Sequence, residues 1–216
     1  MDAHTIVTPR AEAYAEACTS AESELLHRIT RWTHLHTAYP HMLSGAYQGQ
    51  LLTLIAAMLH PHTAIEVGAF VGYSTICLAQ GMPQDSVLHT VEVNDEIESQ
   101  LRSNLVEAGV DGRVEVHIGS ALQVVPALDE VFDLAFIDAD KRNTQVYYDL
   151  LLPKMRRGGV VLVDNVLWGG KVLLDEATYD TDTRLMDAFN RYVQQDSRVE
   201  NILLTLRDGL MLCRVL

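Results

Sequence analysis

Phe132-Asp133-Leu134-Ala135-Phe136-Ile137 is a mainly apolar run that stops abruptly on Asp138-Ala139-Asp140-Lys141. Neighbouring residues of a strand point to opposite faces, so a continuous apolar run needs burial on both sides. That condition is met by an inner strand of a parallel sheet. Gly158-Gly159-Val160-Val161-Leu162-Val163 repeats the pattern and stops on Asp164-Asn165. In an open parallel sheet, ligands sit beyond the carboxyl ends of the strands. Asp138, Asp164 and Asn165 therefore set three hard oxygen donors at one edge. Acids at strand ends also cap the helices that follow. Both together, with Lys141 beside them, point to a site.

Around these two runs, strands and helices alternate. Two helices are expected over about residues 10–37. Thr19-x-x-Glu22 reads as a capping box that starts the second near Ser20, with Leu25, Leu26, Ile29 and Trp32 on its apolar face. His34, His36 and His41 are close in sequence, but i,i+2 spacing separates side chains on a helix; they read as surface or substrate-rim residues. A loop from Met42 leads into a helix with Leu51, Leu52, Leu54, Ile55 and Met58 as its buried face, ended by Pro61. Ala64–Ser74 gives a strand, a glycine-bearing turn and a helix, and Val87–Glu92 a second strand. A helix over about 95–109 stops at Gly109. Val114–Ile118 is a third strand and Ala121–Leu128 a short helix.

After the strand at Phe132, a helix through Val146, Tyr147, Leu150 and Leu151 ends near an Arg156-Arg157-Gly158 turn. Lys154, Arg156 and Arg157 suit a helix end, where cations meet the dipole favourably. Residues 181–195 form an amphipathic helix with Leu185, Met186, Phe189 and Tyr192 on one face. Two strands, about 199–206 and 210–215, close the chain around Arg207-Asp208-Gly209, an Asp-Gly hairpin signal. Such alternation predicts an α/β fold: a doubly wound, mostly parallel, seven-stranded sheet with an antiparallel C-terminal strand and N-terminal helices.

The 216 residues contain no linker, repeat or low-complexity tract, so one domain spans 1–216, with residues 1–41 as a helical extension. The balance of 16 Lys+Arg against 29 Asp+Glu, net −13, disfavours nucleic acid and anionic lipid as partners. Cys18, Cys77 and Cys213 are odd in number and form no CxxC pair, which argues against a disulfide framework or a zinc site. No apolar run reaches the roughly 18–20 residues of a membrane span. A soluble, cytoplasmic protein is expected.

The first turn carries Gly68 and Gly72 spaced GxxxG, not GxGxxG. Phe70 stands where a dinucleotide fold needs a small residue beside the pyrophosphate, so a nucleoside ligand without pyrophosphate fits better. Glu92 ends the second strand 24 residues after Gly68, the place of a ribose-binding acid. Glu66 lies inside a buried strand and needs partners, either backbone N–H groups or a ligand cation. Glu66, Gly68, Gly72 and Glu92 together indicate an adenosyl ligand.

Glu66-Val-Gly-x-x-x-Gly-Tyr-Ser74, Phe136-Ile-Asp-Ala-Asp-Lys141, Asp164-Asn-x-Leu-Trp-x-Gly170 and Asp208-Gly-Leu210 resemble the cation-dependent class I S-adenosylmethionine-dependent O-methyltransferases of the caffeoyl-CoA and catechol O-methyltransferase type. The resemblance runs from about Met42 to the C-terminus. It implies that Asp138, Asp164 and Asn165 bind a divalent cation, usually magnesium, and that Glu92 binds the ribose of S-adenosylmethionine. It assigns Gly68 and Ser74 to the methionine portion, with Met42 and Ser44 in the loop that closes over it, Asp140 to the amino group, and Ser120 and Ala121 to the side of the adenine. Lys141 matches a proposed general base, with Asp138 beside it in the reacting centre. The family commonly forms homodimers.

That chemistry explains the residue types. A phenol has an ordinary pKa of about 10, and a bound cation favours its ionised form. A vicinal diol chelates through both oxygens and holds one in line with the methyl group. Lys141 serves as base only if its surroundings disfavour the ammonium form; otherwise it is a salt-bridge partner of Asp138 or Asp140. Trp168 either walls the acceptor or packs as core. Tyr147 and Tyr148 read as core or subunit contacts. Asp138 is expected to face the metal and Asp140 the cofactor.

Thr144 departs from the family pattern, which often has tyrosine there. The loop from Gly169 to Asp182 is acidic and does not suit a coenzyme A thioester. A small catechol-like phenol is the expected acceptor. A metal-independent methyltransferase and a non-catalytic adenosyl-binding protein stay open as alternatives; the missing GxGxxG argues against a nicotinamide dehydrogenase.

Overall fold

The computed structural model describes residues 7–216, so the first six residues of the expected helical extension lie outside the described residues. The strands are β1 Thr63–Val67, β2 Val87–Glu92, β3 Val114–Ile118, β4 Phe132–Ile137, β5 Met155–Asp164, β6 Val199–Leu204 and β7 Leu210–Val215. They form one sheet in the order β3-β2-β1-β4-β5-β7-β6. β1 to β5 pair in parallel, and β7 runs antiparallel to both β5 and β6. The order reverses beside β1, which places the crevice of a doubly wound sheet at the carboxyl ends of β1 and β4.

The helices are α1 Pro9–Ala17, α2 Glu24–His36, α3 Gly45–Leu59, α4 Tyr73–Gly81, α5 Glu98–Glu107, α6 Ala121–Ala127, α7 Thr144–Leu151 and α8 Thr181–Gln195. Apolar side chains of α2 to α5 pack on one face of the sheet, and those of α6 to α8 on the other. β4 is buried by both layers: Phe132, Leu134, Ala135 and Phe136 are 0 % exposed and Ile137 1 %. Each large side chain so buried contributes roughly 1.5–3 kcal/mol.

Several boundaries differ from the sequence reading. Ser23, not a Thr19–Glu22 box, caps α2, its side chain accepting from Leu26 N. Thr19 Oγ1 donates back to Ala15 O, and Glu22 accepts from Tyr73 OH at 2.6 Å, tying the N-terminal helices to α4. Leu54, Met58 and Leu185 are exposed, so the buried faces of α3 and α8 are narrower than expected. Arg156 and Arg157 lie inside β5 rather than in a turn after a helix. A register shift between Phe132 and Leu134 accommodates the longer strand, and Arg156 pairs with Asp133.

Pro40–Leu59 is 20 residues long and matches a membrane span by length and composition alone, although His41, Ser44, Gln48, Gln50 and Thr53 interrupt its apolar run. It is a 3-10 turn, Pro40–Met42, followed by α3. Leu52, Ile55 and Ala56 lie in the core, and Gln48 bonds to Asp164. Packing on α4 and the core accounts for the buried part of its apolar surface, while Leu54 and Met58 stay exposed.

Candidate active site

The carboxyl ends of the strands open on a cavity of about 900 Å³. Thirteen of the residues singled out in the sequence line it: Met42, Ser44, Gly68, Ser74, Glu92, Ser120, Ala121, Asp138, Asp140, Lys141, Asp164, Asn165 and Trp168. They follow the sheet, from the end of β3 (Ser120) through β2 (Glu92), β1 (Gly68) and β4 (Asp138, Asp140) to β5 (Asp164). Gly68 permits this convergence. Its φ is +103°, and a Cβ there would meet the Asp138 carbonyl oxygen at 2.0 Å, so no other residue fits where β1 and β4 end together.

Gly72 does not line the cavity, and neither does Glu66. It is fully buried, and its Oε2 accepts from Thr75 Oγ1 (2.5 Å) and Thr90 Oγ1 (2.6 Å). Oε1 has no aligned partner, although the Ser74 hydroxyl is near enough to act on its charge. Burial pushes the carboxyl up to about 7 against the pull of these three hydroxyls, and the negative charge of Asp138 adds to the rise. Depth explains the departure: Glu66 lies inside β1 and bonds Thr75 of α4, while Gly68 follows the strand's last residue and reaches the rim.

At the β2 end, Glu92 Oε2 accepts from Phe70 N (2.7 Å) and Oε1 from Asn94 N (2.8 Å). Two backbone N–H groups thus fix a nearly buried carboxylate at the cavity wall, with lone pairs left for a diol. Asp140 caps the turn after β4: its Oδ1 accepts from Asn143 N (3.1 Å) and Nδ2 (2.9 Å), and its Oδ2 from Tyr147 OH (2.5 Å). Burial, followed by the adjacent Asp140, drives the Tyr147 phenol pKa upward, so it remains a donor.

At the β5 end, Asp164 is 4 % exposed. Its Oδ1 accepts from Asn165 N (2.7 Å) and its Oδ2 from Gln48 Nε2 (2.7 Å). Burial and the charge of Asp138 raise its carboxyl pKa, opposed by Gln48, Lys141 and the Asn165 N–H. Lys141 Nζ lies 3.1 Å from Asp138 Oδ1. Two carboxylates that resist joint ionisation, beside an amide, form an oxygen donor set suited to a hard divalent cation. Asp208, raised mainly by burial, adds a further acid at this end.

Sequence reasoning missed Gln48, Arg207 and Tyr147. Arg207 lines the cavity; its Nη1 donates to Gln48 Oε1 (3.3 Å) and its Nη2 to Leu43 O (3.1 Å). Tyr147 sits seven residues after Asp140, a spacing that allowed the contact to be suspected; nothing local marked Gln48. Trp168 both lines the cavity and packs on the core, and its buried indole N–H has no partner. Among the described residues, five non-glycine residues have positive φ: His60, Phe70, Asn165, Trp168 and Arg207. All but His60 line the cavity, the clustering expected of strain held at a functional site.

Comparison with known proteins places the chain in a family. The model of the O-methyltransferase family matches residues 16–216. A probable caffeoyl-CoA O-methyltransferase of Arabidopsis thaliana is 31 % identical over 206 residues, covering 89 % of this chain and 87 % of that protein. The catechol O-methyltransferase of Mycobacterium tuberculosis is 39 % identical over 142 residues, 65 % of this chain and 64 % of that one. The structure of the O-methyltransferase TomG from Streptomyces achromogenes, in complex with S-adenosylmethionine, superposes with a TM-score of 0.85 at 32 % identity, covering 95 % and 96 % of the two chains. The chain belongs to the O-methyltransferase family, as a class I S-adenosylmethionine-dependent enzyme of the caffeoyl-CoA and catechol O-methyltransferase type.

Proposed function

We propose that this enzyme depends on a divalent cation, most simply magnesium, and methylates one hydroxyl of a small catechol-like phenol. The observation that carries the reading is the single cavity lined at once by Glu92 and Ser120, by Asp140 and Lys141, and by Asp138, Asp164 and Asn165. Within it, Glu92 holds the ribose hydroxyls, Ser120 and Ala121 border the adenine, and Gly68, Ser74, Met42 and Ser44 enclose the methionine portion. Asp140, oriented by Asn143 and Tyr147, receives the amino group. Glu66 supports this wall from beneath rather than touching the ligand.

S-Adenosylmethionine supplies the methyl group on a sulfonium, and a cation held by Asp138, Asp164 and Asn165 supplies Lewis acidity that favours the ionised phenol. The protein orients the acceptor oxygen in line with the methyl group and excludes water, which provides much of the acceleration. Lys141 takes the acceptor's proton at Nζ. As an ammonium it pairs with Asp138 and has no lone pair, so it must first lose a proton to solvent and act as the neutral amine. Trp168 walls the aromatic ring.

The acceptor class rests on charge. The cavity carries five acids, Glu92, Asp138, Asp140, Asp164 and Asp208, against Lys141 and Arg207. Lys141 is engaged by Asp138, and Arg207 by Gln48 and Leu43, which leaves neither free for phosphates. The acidic loop carries less weight than expected, since Glu176, Asp180 and Asp182 pair with Arg191, Lys171 and Arg142. A cytoplasmic homodimer completes the proposal, with exposed Leu54 and Met58 of α3 as apolar contact surface. Mass spectrometry of products from a panel of catechols, monophenols and a coenzyme A ester tests the acceptor. Methylated catechols are expected; turnover of the ester alone refutes the assignment.

A further inference from the structure

Three ligand-type side chains meet on the β2–β3 pair, outside the cavity. His89 lies on β2, and Glu115 and His117 on β3; the register sets His89 opposite Glu115 and Val91 opposite His117. All three therefore share one face of the sheet. His89 Nδ1 is 3.1 Å from His117 Nε2 and 3.4 Å from Glu115 Oε2. One ligand atom from each residue lies within 4.8 Å of the other two. The two imidazole planes lie within 17° of each other with centroids 5.3 Å apart, so the rings meet nitrogen to nitrogen, and the His89 ring also meets Phe132 edge to face. The His89 side chain is 3 % exposed and that of Glu115 59 %.

A hydrogen bond explains one of these contacts but not both. Nδ1 carries either one proton or one lone pair, so it cannot serve Nε2 and Oε2 together. A cation between the three atoms serves all of them. Zn–N bonds of 2.0–2.1 Å at tetrahedral angles set neighbouring ligand atoms about 3.3 Å apart, a value bracketed by the two contacts of His89 Nδ1. Two imidazoles and one carboxylate suit zinc and the neighbouring late transition metals, whereas magnesium takes oxygen ligands. The exposure of Glu115 leaves solvent access for a water as the remaining ligand.

We infer that His89, Glu115 and His117 form a binding site for a zinc-class divalent cation, separate from the cavity. The ion joins edge strand β3 to β2. β3 runs directly into Gly119 and Ser120, which line the cavity, so an ion here steadies that wall. Scattered cysteines argued against zinc, but this site uses none; its ligands come from two strands and only the register unites them.

Cobalt(II) titration of the untagged full-length protein, first stripped with chelator, tests the inference. Nitrogen-bound cobalt of low coordination number absorbs strongly in the visible, and octahedral oxygen-bound cobalt weakly. Wild type is expected to bind one strongly absorbing equivalent that zinc displaces stoichiometrically. The signal should persist in Asp164→Asn and weaken at least about tenfold in affinity in His117→Ala and Glu115→Gln. Glu115 is exposed, so Glu115→Gln keeps the fold, and circular dichroism verifies this. No absorbing equivalent in wild type, equal affinity in all variants, or loss in Asp164→Asn alone overturns the inference.

Discussion

Gln48 Nε2 donates to Asp164 Oδ2 at 2.7 Å, joining α3 to the end of β5 across 116 residues of chain. Arg207 holds the other end of the same amide, so the donor is turned toward the carboxylate. Gln48 is therefore a positioning residue for Asp164. Gln48→Leu is expected to raise the magnesium concentration for half-maximal rate about 10–100-fold, with a smaller change in kcat at saturating magnesium. A magnesium titration of initial rates reads this directly. An unchanged dependence would show that Asp164 does not rely on this bond.

Glu66 makes stability depend on pH. Its folded value, about 7, lies above the ordinary 4.5. Its contribution is therefore fully present below 4.5 and is lost as pH rises through about 7. The shift corresponds to about 3 kcal/mol. Glu66→Gln keeps an oxygen for Thr75 and Thr90 and removes the ionisation. Denaturant unfolding across this pH range should show a decline in wild type that flattens in the variant; equal slopes contradict the assignment.

Gly68→Ala combines a positive φ with a Cβ driven into the Asp138 carbonyl. A loss of about 3 kcal/mol or more is expected, together with loss of cofactor binding. Thermal unfolding and calorimetric titration with S-adenosylhomocysteine measure the two effects. A stable variant that binds normally would mean β1 and β4 need not approach this closely.

The parallel sheet was readable from β4 and β5 because double-sided burial forces continuous apolar runs. The acids at their ends were readable only as a set: one acid at a strand end can be a helix cap, but Asp138, Asp164 and Asn165 together at adjacent strand ends point to a site. Glu66 misled because a motif position does not reveal how far below the strand end a residue lies. Gln48 and Arg207 were hidden for a different reason: their partners lie far along the chain, and neither spacing nor composition encodes the contact. The start of α2 was misplaced because Thr19 and Ser23 both suit a cap, and the tertiary bond from Tyr73 to Glu22 removes the second half of the expected box.

Lys141 separates a base from a salt bridge. Lys141→Met is expected to lower kcat by about 10²–10⁴ while leaving the affinity for S-adenosylhomocysteine within a few-fold. Initial-rate assays and calorimetric titration with S-adenosylhomocysteine check the two effects. Near-wild-type turnover would leave Lys141 only its pairing with Asp138.

The proposal that cation, methyl donor and acceptor meet between Asp138 and Asp164 is tested most directly by the initial rate of catechol methylation in chelator, before and after magnesium is restored. Wild type should fall to background and recover fully, while Asp138→Ala and Asp164→Ala stay inactive yet still bind S-adenosylhomocysteine. An undiminished wild-type rate in chelator, or full activity in both variants, would contradict it.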